Sequence, residues 1–195
     1  MSGKWQVNKI DVTTAGTATT NTFAVLTGLA PATTYYIFVR SNCGSGALSP
    51  WSTSINFTTA CASVTSFVQN FDAVTLPAFP ICWAKLGTGG SAYIDSFNAS
   101  STPNVLYMAS WSTTDLAVVK MQPVSNLGAG THRLKFKMRS GSTTVFPSVE
   151  FGYLTDPYDP ATFVSLSSFT PASATFADFV YAPPAGTYSD FPAIK

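Results

Sequence analysis

The chain has 195 residues, with ten Lys and Arg, nine Asp and Glu, one His and a net charge of +1. Only 10% of residues carry a full charge, against about 25% in ordinary domains. This balance excludes nucleic-acid or membrane-surface binding by charge alone, while 46% apolar residues exclude a disordered tail. Glu, Lys, Arg and Gln are too scarce for a helical bundle. Ser and Thr make up 49 residues and Phe 15, which with Val, Tyr, Gly and Pro predicts an all-β protein. The shortage of ionisable groups also argues against an enzyme.

No apolar run reaches the length of a membrane span, and Met1-Ser-Gly-Lys4 lacks the apolar core of a signal peptide. The expectation is a cytosolic protein or a piece of a longer secreted one. Cys43, Cys61 and Cys82 form no CxxC pair, so zinc is not expected. They are either three buried thiols, or one bridge and one orphan.

In chain order, Lys4 to Val12 predicts a strand with Trp5, Val7 and Lys9 on one face. Residues 13–21 read as a loop and 22–27 as a short strand. Tyr35, Ile37 and Val39 alternate on one face of the next strand, leaving Tyr36 and Phe38 outside the core as contacts to other protein. A Gly-rich turn follows Cys43, and residues 51–59 return as a strand with Ile55 and Phe57 aligned. Further strands are expected at 63–70, from Ile81, and at 104–110, 116–121, 131–139, 148–154, 162–166 and 176–181. No segment has helical periodicity.

The run Leu29-x-Pro31-x-Thr33-x-Tyr35, with Ser49-Pro-Trp-Ser52 and Phe57-Thr-Thr59, resembles the second half of a fibronectin type III domain. The resemblance makes Tyr35 the corner tyrosine, whose hydroxyl ties to nearby backbone. It covers residues 1–60 and leaves roughly strands A to C unassigned. Residues 61–195 resemble the MAM-like, concanavalin-type jelly roll. The resembling residues are Phe71-Asp72, Leu76-Pro77, Pro80-x-Cys82-Trp83, Pro123-Val-Ser-Asn-Leu127, Leu134-x-Phe136 and the run from Gly152 to Phe163. The same order occurs in bacterial surface adhesins exported by the type IX route. That resemblance implies an extracellular, non-catalytic adhesion or scaffold module. Such domains usually close on an Ile-Asp-Asp-Val-like strand, which Phe191-Pro-Ala-Ile-Lys195 does not match. Two sheets short of strands imply either a fragment cut inside both domains or a polymeric unit completed by a neighbouring copy. The partners implied are other copies or adjacent domains of the same protein, and glycans.

Candidate chemistry is sparse. His132 stands beside Arg133 rather than a nucleophile, and Glu150 with eight Asp leaves little for a glycosidase pair. Asp156 and Asp159 in Thr155-Asp-Pro-Tyr-Asp-Pro160 either hold calcium or cap turns. Asp72 with Asp95 is a second calcium candidate, because jelly rolls of this type often bind that ion. Trp83, Tyr93, Tyr107 and Trp111 are candidate sugar platforms, as in an accessory module of a secreted hydrolase. Arg133, Lys135, Lys137 and Arg139 alternate with Leu134, Phe136 and Met138. They form either a solvated strand face or an anionic-glycan stripe. A Cys61–Cys82 bridge would close a loop of roughly 20 residues. Cys43 and Cys61 should lie at opposite ends of one hairpin.

Overall fold

The computed structural model describes residues 2–8, 16–112 and 117–195. The described chain is all-β, with antiparallel sheets and, for helix, two short 3-10 turns at Leu127–Ala129 and Pro160–Thr162. It divides into two compact units, Met1–Ala62 and Ser63–Lys195.

The first unit is one four-stranded sheet in the order β2-β1-β3-β4, built from β1 (Ser2–Asn8), β2 (Thr17–Thr19), β3 (Thr34–Asn42) and β4 (Ile55–Thr58). β1 runs antiparallel to β3 over its whole length, from Ser2 opposite Asn42 to Asn8 opposite Tyr36. The expected strand over residues 4–12 thus starts earlier; its residues 9–12, Lys9 among them, lie outside the described residues. Two expectations are corrected. A strand, β2, forms inside the predicted loop at 13–21. The predicted strand at 22–27 is irregular, with Phe23 and Val25 exposed and no strand beside it among the described residues to pair its backbone. No described side chain in this unit is fully buried, as expected where the described strands form one sheet layer.

In the second unit a five-stranded sheet has the order β11-β10-β13-β8-β5. Its strands are β5 (Ala84–Leu86), β8 (Val118–Lys120), β10 (Val149–Leu154), β11 (Phe163–Phe169) and β13 (Pro192–Ile194). Two ribbons accompany it: β6 (Ser91–Asp95) with β7 (Val105–Ala109), and β9 (Leu134–Met138) with β12 (Ala177–Tyr181). The register puts Phe151 opposite Ile194, and Ile194 opposite Val119, so these three share one face. Val118, Leu154 and Ala193 form a fully buried cluster, with Phe163 and Phe191 packed against it. An aromatic cluster ties the β9–β12 ribbon to the sheet: Phe136 meets Phe169 edge-on at 5.1 Å and Phe151 meets Tyr181 at 5.8 Å, while Phe136 stacks on Phe179 within the ribbon. T-shaped pairs of this kind add about 1 kcal/mol each beyond their buried area.

Three strand expectations change here. Residues 63–70 alternate like a strand but give only one bridge, Val64 to Val124. Ser91–Asp95, unassigned by pattern, pairs with β7 in full register. Pro192–Ile194 lies after the last expected strand yet sits in the middle of the five-stranded sheet, between β10 and β8. Proline is tolerated at the first position of a strand, and three residues are too few for alternation to be read.

Cys61 and Cys82 are disulfide-bonded and Cys43 is a free, exposed thiol. Of the two readings of the cysteines, one bridge and one orphan holds.

Candidate functional site: an open slot and two aromatic surfaces

In the first unit, the turn before β3 is held by side chains. Ala32 takes a positive φ of 49°, which lets the chain reverse behind Pro31. The Ala30 amide donates to Tyr35 Oη at 2.8 Å. Thr59 Oγ1 donates to the Ala30 carbonyl and accepts from the Thr33 amide. The Tyr35 ring stacks on Phe57 at 5.9 Å. Beyond β3, the Arg40 guanidinium lies 4.2 Å from the Trp51 ring centroid. Tyr36 and Ile55 are exposed, as alternation predicted for Tyr36; Phe38 is half-buried.

In the second unit, the cationic run falls on β9 and its flanks. Lys135 and Lys137 are exposed, while Leu134, Phe136 and Met138 are half-buried. The alternation read from sequence is therefore physical: one side of the ribbon faces solvent and the other packs. Lys137 pairs with Asp178 of β12 at 3.5 Å, the one ion pair between described residues. Arg139 covers the Phe176 ring at 5.4 Å.

Next to this run is a cavity of about 690 Å³. β9 lines it along its whole length, and Val105, Leu106 and Met108 of β7 line it as well. Met121, Phe151 and Ile194 bring apolar surface from the region of the five-stranded sheet. Among the described residues β9 pairs only with β12, and β7 only with β6. Each of these two strands therefore has one edge whose backbone groups meet no strand among the described residues. Asn126 also lines the cavity, and its buried Oδ1 has no donor among the described residues. Sequence reasoning found the β9 side of this slot but not Met121, Phe151 or Ile194, since their meeting depends on sheet order.

The aromatic candidates separate. Trp83 is packed edge-on against Phe67 and Phe71 at 6.0 and 5.4 Å and lines the slot. Tyr93 and Tyr107 are opposite each other in register, with centroids 5.0 Å apart, and Tyr93 is exposed. Trp111 is 76% exposed. A pair that sequence did not single out joins Lys120 to the ring of exposed Tyr158 at 4.9 Å; burial pushes the Lys120 ammonium below its ordinary value.

Three of the four acidic candidates, Asp72, Asp156 and Asp159, sit in turns. Asp156 Oδ1 accepts from the Tyr158 amide, and Asp159 Oδ1 accepts from the Ala161 amide at the start of the second 3-10 turn. Asp72 accepts from the side chains of Asn70 and Ser101, and Asp95 ends β6. Among the described residues no three His, Cys, Asp or Glu side chains gather as a metal cage. His132 has its ring nitrogens against Asn126 and Thr131 at 2.9 and 3.0 Å. No described helix is long and apolar enough to cross a membrane.

No family model, curated protein or solved structure matches the chain.

Proposed function

We propose that this chain is a non-catalytic module of an extracellular, surface-attached protein. It works in adhesion or as a scaffold by joining other polypeptide through its open strand edges. The observation that carries the reading is a cavity lined by β7, β9 and apolar side chains, together with the edge that each of these two strands leaves unpaired among the described residues. Such edges are templates for strand addition.

The resemblance to fibronectin type III domains is supported by the Tyr35–Ala30 bond, the kind of tie a corner tyrosine makes. In that reading β1 takes the place of strand C, one strand more than the sequence count assigned. The jelly-roll resemblance is supported by a five-stranded antiparallel sheet with two further ribbons. The Cys61–Cys82 bridge fits an oxidising compartment. His132 is held by an amide and a hydroxyl rather than by a carboxylate.

The second reading is a glycan-binding accessory module of a secreted hydrolase. The Tyr93–Tyr107 pair favours it, since adjacent rings offer a platform for a sugar face. A glycan array together with a cell- or protein-coated surface assay separates the two. The adhesion reading expects retention on protein surfaces and no glycan signal. Specific glycan binding lost in Tyr107→Ala or Trp111→Ala would replace it with the second reading.

A further inference from the structure

The slot has more specific chemistry than an apolar groove. On one side of β9, Leu134, Phe136 and Met138 turn to apolar surface. On the other, Lys135 and Lys137 are exposed, about 7 Å apart, with exposed Arg133 just before the strand and half-buried Arg139, set over Phe176, just after it. Only Lys137 has an acidic partner among the described residues, and that partner, Asp178, comes from β12 on the edge already occupied. A strand laid along the free edge of β9 would place its own alternate side chains beside these cations. Its inward residues would meet Leu106, Met121, Phe151 and Ile194. Opposite charges on neighbouring strands attract, and like charges are unfavourable.

We infer that the slot between β7 and β9 takes one extended polypeptide strand with apolar residues facing in and carboxylates at alternate positions facing out, supplied from outside these 195 residues. Main-chain bonds to β9 on one side and β7 on the other hold it, joining the two ribbons into one sheet. The source is fixed by the sequence. None of its nine acidic residues stands two positions from another, so no segment of this chain, in this copy or a second, presents alternating carboxylates. This inference rests on the strand-addition reading above and gives it a place and a partner chemistry. Adhesion to protein surfaces is scored separately, so failure of the slot and failure of the adhesion role are distinguishable.

The test titrates the 195-residue chain with a capped eight-residue peptide alternating valine and aspartate. Calorimetry and Trp83 fluorescence follow binding, since Trp83 lines the slot. One site per chain is expected. A valine–lysine peptide should bind at least about tenfold more weakly, and the double variant Lys135→Glu, Lys137→Glu should reverse that preference. Both lysines are exposed, so the variant is expected to keep its fold, checked by circular dichroism. Methylating alternate peptide nitrogens should abolish binding, because it removes the edge bonds. The inference is overturned by no binding, by equal affinity for the two peptides, or by indifference to methylation. It is also overturned if the chain self-associates through the slot and the double variant makes it monomeric, which would make a second copy the occupant.

Discussion

Tyr35 Oη accepts a hydrogen bond from the Ala30 amide at 2.8 Å while its ring stacks on Phe57. The contact separates polar from apolar work in one side chain. Tyr35→Phe keeps the stack and removes the acceptor, a loss of about 1 kcal/mol. Amide exchange at Ala30 should accelerate by roughly fivefold, with little change in the second unit. Unchanged exchange would show that Thr59, rather than Tyr35, secures the turn.

The Cys61–Cys82 bridge constrains the loop that carries Phe67 and Phe71 to Trp83. Replacing both cysteines by serine should lower the stability of the second unit by about 3 kcal/mol, as expected for closing a loop of this length. Alkylation before reduction should label one cysteine, Cys43, as read by mass spectrometry of the peptides.

Gly152 lies where β10 shifts register against β11. A Cβ there would fall against the carbonyl oxygen of Val164 and the Phe163 ring. The backbone of β11 would have to retreat from the most extensively paired part of the sheet. Gly152→Ala is therefore expected to cost at least about 2–3 kcal/mol, while Gly141→Ala, which meets nothing within 4 Å, should be near neutral. Urea unfolding of the two variants compares them directly.

The Tyr181 hydroxyl donates to the Leu166 carbonyl at 3.2 Å. Burial, and then the neighbouring Tyr188, push its phenol above the ordinary value of 10.0. The folded state thus favours the protonated phenol. Its contribution is fully present below the unfolded value and is lost as pH rises through the folded one. Lys120 acts in the opposite direction, because its lowered value makes folding more favourable as pH rises toward 10.5. The difference between wild type and Tyr181→Phe isolates the tyrosine. Between about pH 8 and about pH 11 the urea midpoint of wild type should fall further than that of the variant.

Much of the second unit could be read from alternation. Leu134–Met138 puts cations out and apolar residues in, and the structure keeps that division. Where the signal failed, the cause was length or partnership. Thr17–Thr19 and Pro192–Ile194 have three residues each, too short for a period of two to register. Among the described residues, 63–70 alternate but obtain only the Val64 bridge, and Phe23 and Val25 alternate without a neighbouring strand. Alternation reports what a segment can pair with, not whether a partner arrives. The slot was half legible for the same reason: β9 shows its two faces locally, while the approach of β7, Met121 and Phe151 is long-range.

The central claim is that β7 and β9 each keep an open edge. Residue-resolved hydrogen exchange of the isolated chain tests it most directly. Alternate amides in Leu134–Met138 and Val105–Ala109 should be protected by β12 and β6, and the amides between them should exchange as freely as loop amides. Uniform protection along both strands in a monomeric chain would mean that the edges are already paired, and would contradict the account.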